Sequence, residues 1–137
     1  MAISSALQRL LESNWPIARY VVKGGSMLPL LAEGDRLLLL KTRRVRLGDV
    51  IVFRGDRRHY LKRVSALPGQ MGMCWGTAIP LDAGEYCVLG DNLAESTDSR
   101  QFGPISADRI VGRAILKYFP TIAWIESRSQ MSDGNSF

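Results

Sequence analysis

From residue 34 onward the chain is a series of short apolar runs cut off by turn pairs, a spacing that leaves no room for long helices. The runs cover residues 37–40, 50–53, 60–64, 85–89 and 110–117, and the cuts include Gly34-Asp35, Gly48-Asp49, Gly55-Asp56 and Pro68-Gly69. Glycine tolerates the positive φ of tight turns, aspartate bonds to nearby backbone, and proline cannot continue a central strand. Many short strands at close spacing predict a mainly β fold, an antiparallel sandwich or partly open barrel. The Gly-Asp pairs are not an internal repeat, because their surroundings differ and no solenoid period is present. Strand character begins at about Tyr20. Before it, residues 4–13 predict a short amphipathic helix with Leu7, Leu10 and Leu11 on one face and Pro16 as the stop.

The 137 residues suffice for one core. They divide into an N-terminal helix or extension (1–16), a β domain (17–126) and a polar tail (127–137) expected to fray. A membrane-spanning helix needs about 20 mostly apolar residues. The longest uncharged stretch, 64–81, contains Pro68, Gly69, Gly72, Gly76 and Pro80, and the apolar stretch 114–125 carries Lys117 and Pro120. Gln8 and Arg9 interrupt any secretory signal at the N-terminus. These features predict a soluble, cytoplasmic protein without stable membrane insertion. Cys74 and Cys87 are too few for a disulfide scaffold and lack metal-ligand spacing, so no metal or cofactor is expected; they could face each other across a hairpin, but an intracellular location favours free thiols. The formal charge of +5 is compatible with polyanions, but it is equally an ordinary solubility device. Arg43, Arg44, Arg46, Arg54, Arg57 and Arg58 read as solvated turns or a docking surface for an acidic substrate, and no nucleic-acid partner is expected.

Three segments carry chemistry. In Gly24-Gly25-Ser26-Met27-Leu28-Pro29, two glycines allow a sharp turn that presents the Ser26 hydroxyl and leaves backbone amides free for an oxyanion. In 59–64, strand alternation places Tyr60, Lys62 and Val64 on one face. If that face is the core side, Lys62 is a partly buried amine. Lowering a lysine from its usual value to about 7–8 costs roughly 4 kcal/mol, which desolvation can supply, and a neutral amine can then take a serine proton. The third segment, 90–100, is a polar loop in which Ser96 can bond an amine while Asp98 and Arg100 pair. Taken singly, each segment has a plainer reading: a Gly-Gly turn, an exposed lysine, a solvated connection. His59, the only histidine, has no partner motif and reads as structural or exposed.

In order along the chain stand Gly-Gly-Ser-Met-Leu-Pro (24–29), Gly-Asp-Arg-Leu-Leu-Leu (34–39), Arg-Leu-Gly-Asp-Val-Ile-Val-Phe (46–53), Tyr-Leu-Lys-Arg-Val (60–64), Leu-Pro-Gly (67–69) and the Gly-Asp-Asn loop ending Ser-Thr-Asp-Ser-Arg (90–100). Together they resemble the type I signal peptidase family of serine proteases, which use a Ser/Lys dyad. The resemblance implies that Ser26 is the nucleophile and Lys62 the general base, that Ser96 orients the lysine amine, and that Asp98 and Arg100 form a supporting ion pair. It further implies that Gly25, Ser26 and Met27 line the oxyanion site and substrate groove. Where some relatives place a second oxyanion hydroxyl, this chain has Gly24. The partner implied is a precursor protein bound as an extended strand, with small side chains just before the cut.

Typical members carry an N-terminal membrane anchor and a larger inserted β region. Here the chain starts close to Ser26, only thirty-six residues separate Ser26 from Lys62, and only 67–84 remain for an inserted ribbon. The chain therefore resembles most the short soluble proteases that mature nickel-type superoxide dismutase by removing its leader. The alternatives are a general signal peptidase acting on exported preproteins and a self-cleaving SOS-response-type Ser/Lys peptidase. The sole Ala-Gly, Ala83-Gly84, follows both dyad residues, which disfavours the last.

Overall fold

A computed structural model describes residues 14–128 of the chain. The helix expected over 4–13 lies outside the described residues, as does the polar tail beyond Arg128.

The strands are β1 (Ile17–Val21), β2 (Arg36–Leu40), β3 (Val50–Arg54), β4 (His59–Ala66), β5 (Met71–Cys74), β6 (Thr77–Pro80), β7 (Glu85–Leu89), β8 (Ile105–Ser106), β9 (Ile110–Phe119) and β10 (Ala123–Trp124). One helical turn, α1 (Ser99–Phe102), lies between β7 and β8. The protein is mainly β, with one large antiparallel sheet in the order β1-β2-β9-β3-β4-β7-β8, β10 added to β9, and a separate β5-β6 ribbon. The sheet does not close, because its end strands β1 and β8 do not pair. It does curl, and β3 is buried on both faces. Val50 and Val52 join Tyr20, Met27, Leu37 and Leu61 in one core cluster. Ile51 and Phe53 join Val64, Val88 and Ile105 in another. Burial on both faces explains why β3 reads as a continuous apolar run instead of alternating.

Two of the Gly-Asp turns share one device. Gly34 and Gly48 take positive φ of 92° and 88°. The carboxylates that follow accept the backbone N–H three residues earlier, Asp35 from Ala32 and Asp49 from Arg46. The first strand starts at Ile17, three residues earlier than expected. The ribbon 71–80 was not legible as strands because Gly72 and Pro80 break the apolar pattern. Gly72 is there for closeness, since a Cβ on it would meet the Cys87 Cβ at 2.9 Å. The ribbon turns through Trp75 and Gly76, both at positive φ, as a two-residue hairpin requires. At the end of the β region, Ser127 bonds to the Asp49 side chain and the Arg128 N–H to the Gly48 carbonyl, so the first two residues of the expected tail are tied to the sheet.

Candidate active site

Ser26 follows β1 at the point where the chain turns back toward β2. Gly24, at φ 70°, makes the turn, and its N–H donates to Glu33 Oε1 at 2.9 Å. Met27 is buried in the core and anchors the turn from below. From the other side Asn92 clamps it: its backbone N–H donates to the Ser26 carbonyl at 2.8 Å, and its Nδ2 donates to the Gly25 carbonyl at 3.0 Å. Gly24, Met27 and Asn92 thus hold the 24–29 turn in place, and Asn92 is a group that sequence reasoning did not single out.

Lys62 comes from the middle of β4, paired with Ile51 of β3. Strand alternation aims it at the same side as Val64, and it is only 4% exposed. Its Nζ lies 2.8 Å from Ser26 Oγ. Burial lowers its pKa to about 8; the nearby Asp98 carboxylate opposes the fall, and Arg58 and Arg100 add to it. At pH 7 such a lysine is roughly 10% neutral, against roughly 0.03% for an ordinary one. Thirty-six residues of sequence have been folded into one hydrogen bond.

Behind the lysine, the 90–100 segment is more ordered than a loop. Asp98 caps α1, with Gln101 completing a reciprocal capping box. Fully buried, Asp98 accepts from Ser96 Oγ at 2.7 Å, the Gly90 N–H at 3.0 Å and Arg100 Nε at 2.9 Å. Burial pushes its pKa up, but the hydrogen bonds from Arg100, Gly90 and Ser96 outweigh that, and its carboxyl is held below the usual carboxylate range. The Asp98–Arg100 pair forms as expected. The Ser96 hydroxyl donates to Asp98, whereas the hydrogen bond from Lys62 Nζ goes to Ser26. Gly90 stitches the two halves together. A Cβ there would collide with the Ser96 side chain and come within 2.7 Å of the Ser26 carbonyl oxygen. Gly90→Ala is expected to lower kcat/KM on any cleaved peptide by about 100-fold while circular dichroism stays native, since small displacements of reacting groups cost rate on that scale. An unaltered kcat/KM would show that this contact does not set the serine's position.

The opposite face of β4 carries Arg63, fully buried and paired with Asp91 through two bonds of 2.8 Å. Its remaining nitrogen donates to the Gly48 and Glu126 carbonyls. Both stand within the ordered motifs, at 60–64 and 90–100, with no local signal of their pairing. Cys74 and Cys87 are buried free thiols 3.5 Å apart, joining the ribbon to β7. The described residues contain no cluster of side chains able to hold a metal ion and no helix long and apolar enough to cross a membrane.

The serine and lysine open onto a cleft of ≈ 690 Å³. One wall is residues 20–27, the other 54–62. Gly25, Ser26 and Met27 all line it. Among the described residues, both walls have a strand edge with no partner strand. β1 is an edge strand, and the ladder from β4 to β7 begins only at Arg63. A serine held against a desolvated lysine, at the bottom of a cleft with open strand edges, has the makings of a peptide-cleaving site.

Comparison with known proteins decides the family. The sequence pattern described as signal peptidase, peptidase S26, matches residues 3–79 and 70–119. The chain belongs to the S26 signal peptidase family. The S26 chain is 27% identical to signal peptidase I T of Bacillus subtilis, over 86% of this chain and 82% of that one. It is 30% identical to a Synechocystis protein named "Probable signal peptidase I-1", over 77% and 72% of the two chains. A Staphylococcus aureus relative at 27% identity, over 84% and 86%, is named an inactive signal peptidase IA. Membership makes this S26 protein a serine peptidase of the leader-removing kind. Because relatives at similar identity include one named inactive, the chemistry must be argued from this chain's own residues.

Proposed function

We propose that the chain is a serine endopeptidase with Ser26 as nucleophile and Lys62 as general base, removing an N-terminal leader from a precursor protein. The 2.8 Å contact between Ser26 Oγ and a buried amine of pKa about 8 carries this reading. Neutral Lys62 accepts the Ser26 proton as Oγ attacks the scissile carbonyl, and the Ser26 N–H faces the oxyanion. The lysine ammonium then protonates the leaving amine. Lys62 next takes a proton from water, whose attack on the ester frees the acid and restores Ser26. Asp98 is the positioning group of the lysine's surroundings, with Ser96 and Arg100 acting through it. The substrate lies extended between the β1 edge and residues 59–62, pairing by main-chain hydrogen bonds.

The base must be neutral to work, so activity rises with pH as Lys62 loses its proton. Cleavage measured as kcat/KM is expected to be half-maximal near pH 8, the pKa that burial gives Lys62. A midpoint near the ordinary lysine value of about 10.4 would contradict a desolvated base.

As the specific substrate we propose the leader-bearing precursor of a nickel-type superoxide dismutase. The support is the resemblance to the short members of the family, with the single small β5-β6 ribbon between Lys62 and β7. A second reading, exported preproteins, is favoured by the names of the relatives. Co-expression with each kind of precursor, followed by intact-mass measurement of its N-terminus, separates them. A trimmed dismutase precursor beside an uncut secretory precursor supports the first; the reverse pattern removes it.

A further inference from the structure

Beyond the serine and lysine the cleft runs on to the tip of the β3-β4 hairpin, and there its lining is cationic. Lys23, Arg54, Arg57 and Arg58 line it, against the carboxylates of Asp56 and Glu95. Arg54 is engaged, its guanidinium donating to the Asp108 carbonyl. None of the four cations takes part in an ion pair among the described residues. Arg58 stacks over the Tyr60 ring at 4.7 Å, which fixes its guanidinium beside the cleft. Its charge reaches Lys62 and Tyr20, and both of these also line the cleft. The other basic residues of that stretch of sequence, Arg43, Arg44 and Arg46, do not line the cleft. A general solubility device has no reason to gather unpaired cations at one end of the groove that holds the reacting serine. Four cations against two carboxylates leave this lining net positive, and its field favours an arriving anion.

We propose that Arg57 and Arg58 on the hairpin tip, with Lys23 on the facing wall, select peptide substrates that carry acidic side chains about three to four residues from the cleaved bond. This rests on the peptidase function proposed above and adds its substrate class. The distance follows from the ring they share. Arg58 Cζ and Lys62 Nζ lie 4.7 Å and 5.9 Å from the Tyr60 ring centre, so they are at most about 11 Å apart, about three residues of an extended substrate strand. His59, between them, also lines the cleft.

The test uses the full chain and synthetic peptides with an Ala-Ala-Ala core. One set has neutral flanks; two others carry Asp-Glu pairs three to five residues to one side or the other. One of the acidic sets is expected to be cut with a kcat/KM about three- to tenfold above the neutral set at low salt. That ratio should fall toward one in about 0.5 M salt, where screening shortens the reach of exposed charges. It should also fall toward one in the Arg57→Ala/Arg58→Ala double variant. Using the ratio cancels any effect of Arg58 on the Lys62 pKa, which touches all peptides alike. Equal cutting of neutral and acidic sets by the unmodified protein, or a preference that survives in the double variant, overturns this proposal and leaves the peptidase intact. If no set is cut, the peptidase function fails and takes the acidic preference with it.

Discussion

Replacing Lys62 by methionine is expected to abolish cleavage and, at pH 7, to make the protein more stable. The loss of activity should be at least about 10⁴-fold, the scale seen when a nucleophile's base is removed. The stability gain follows from burial. Lys62 has a pKa of about 8 in the fold against 10.5 when unperturbed. Between those values the unfolded chain binds more protons than the native one, so the lysine's contribution to stability rises with pH across that window. Below pH 8 its penalty is fully present and amounts to about 3 kcal/mol. Methionine fills similar space with no charge to desolvate. Part of the gain is lost with the hydrogen bond to Ser26, which leaves roughly 1–3 kcal/mol in urea unfolding at pH 7. The gap between variant and parent should narrow above pH 8 and vanish by about pH 10.5. A variant less stable than the parent at pH 7 would mean that the amine is not held in a desolvated site.

Asp91→Ala is expected to act on stability in the opposite direction. Arg63 is fully buried, and two of its nitrogens end on the Asp91 carboxylate. Truncating Asp91 strands a guanidinium with only the Gly48 and Glu126 carbonyls as acceptors. Removing one partner of a buried pair costs about 3–5 kcal/mol, because the remaining charge stays desolvated. Removing both is much less costly. The double variant Arg63→Met/Asp91→Ala should therefore recover a large part of the loss, and a double-mutant cycle by urea unfolding measures it. A cost below about 1 kcal/mol for the single change would place the pair in solvent.

The fold was legible where chemistry is local. Each expected strand falls on an observed one, because a turn residue such as Gly48 or Gly55 marks its boundary. The β5-β6 ribbon escaped because its strand state depends on tertiary contact. Gly72 packs on Cys87 and Leu81, and the Trp75 indole lies where a side chain on Gly103 would sit. Neither contact has a local signal. The family was readable from ordered motifs, and strand alternation placed Lys62 beside Val64 on one face, whose burial only the structure shows. Alternation could not show that β4 lies against the turn after β1, since that closeness comes from the curl of the sheet. Nor could it show that Asn92 would hold the serine turn or that Arg63 would pair with Asp91. Those partnerships link residues 67 and 28 positions apart and exist only once the strands have assembled.

The central claim is that Ser26 and Lys62 together cut a peptide bond. The most direct measurement is the intact mass of a leader-bearing precursor after incubation with the parent protein and, separately, with Ser26→Ala. The parent should convert the precursor to two products that sum to its mass plus one water, while Ser26→Ala leaves it whole and keeps a native circular dichroism spectrum. Cleavage at the same bond by Ser26→Ala would contradict the assignment of the serine as nucleophile.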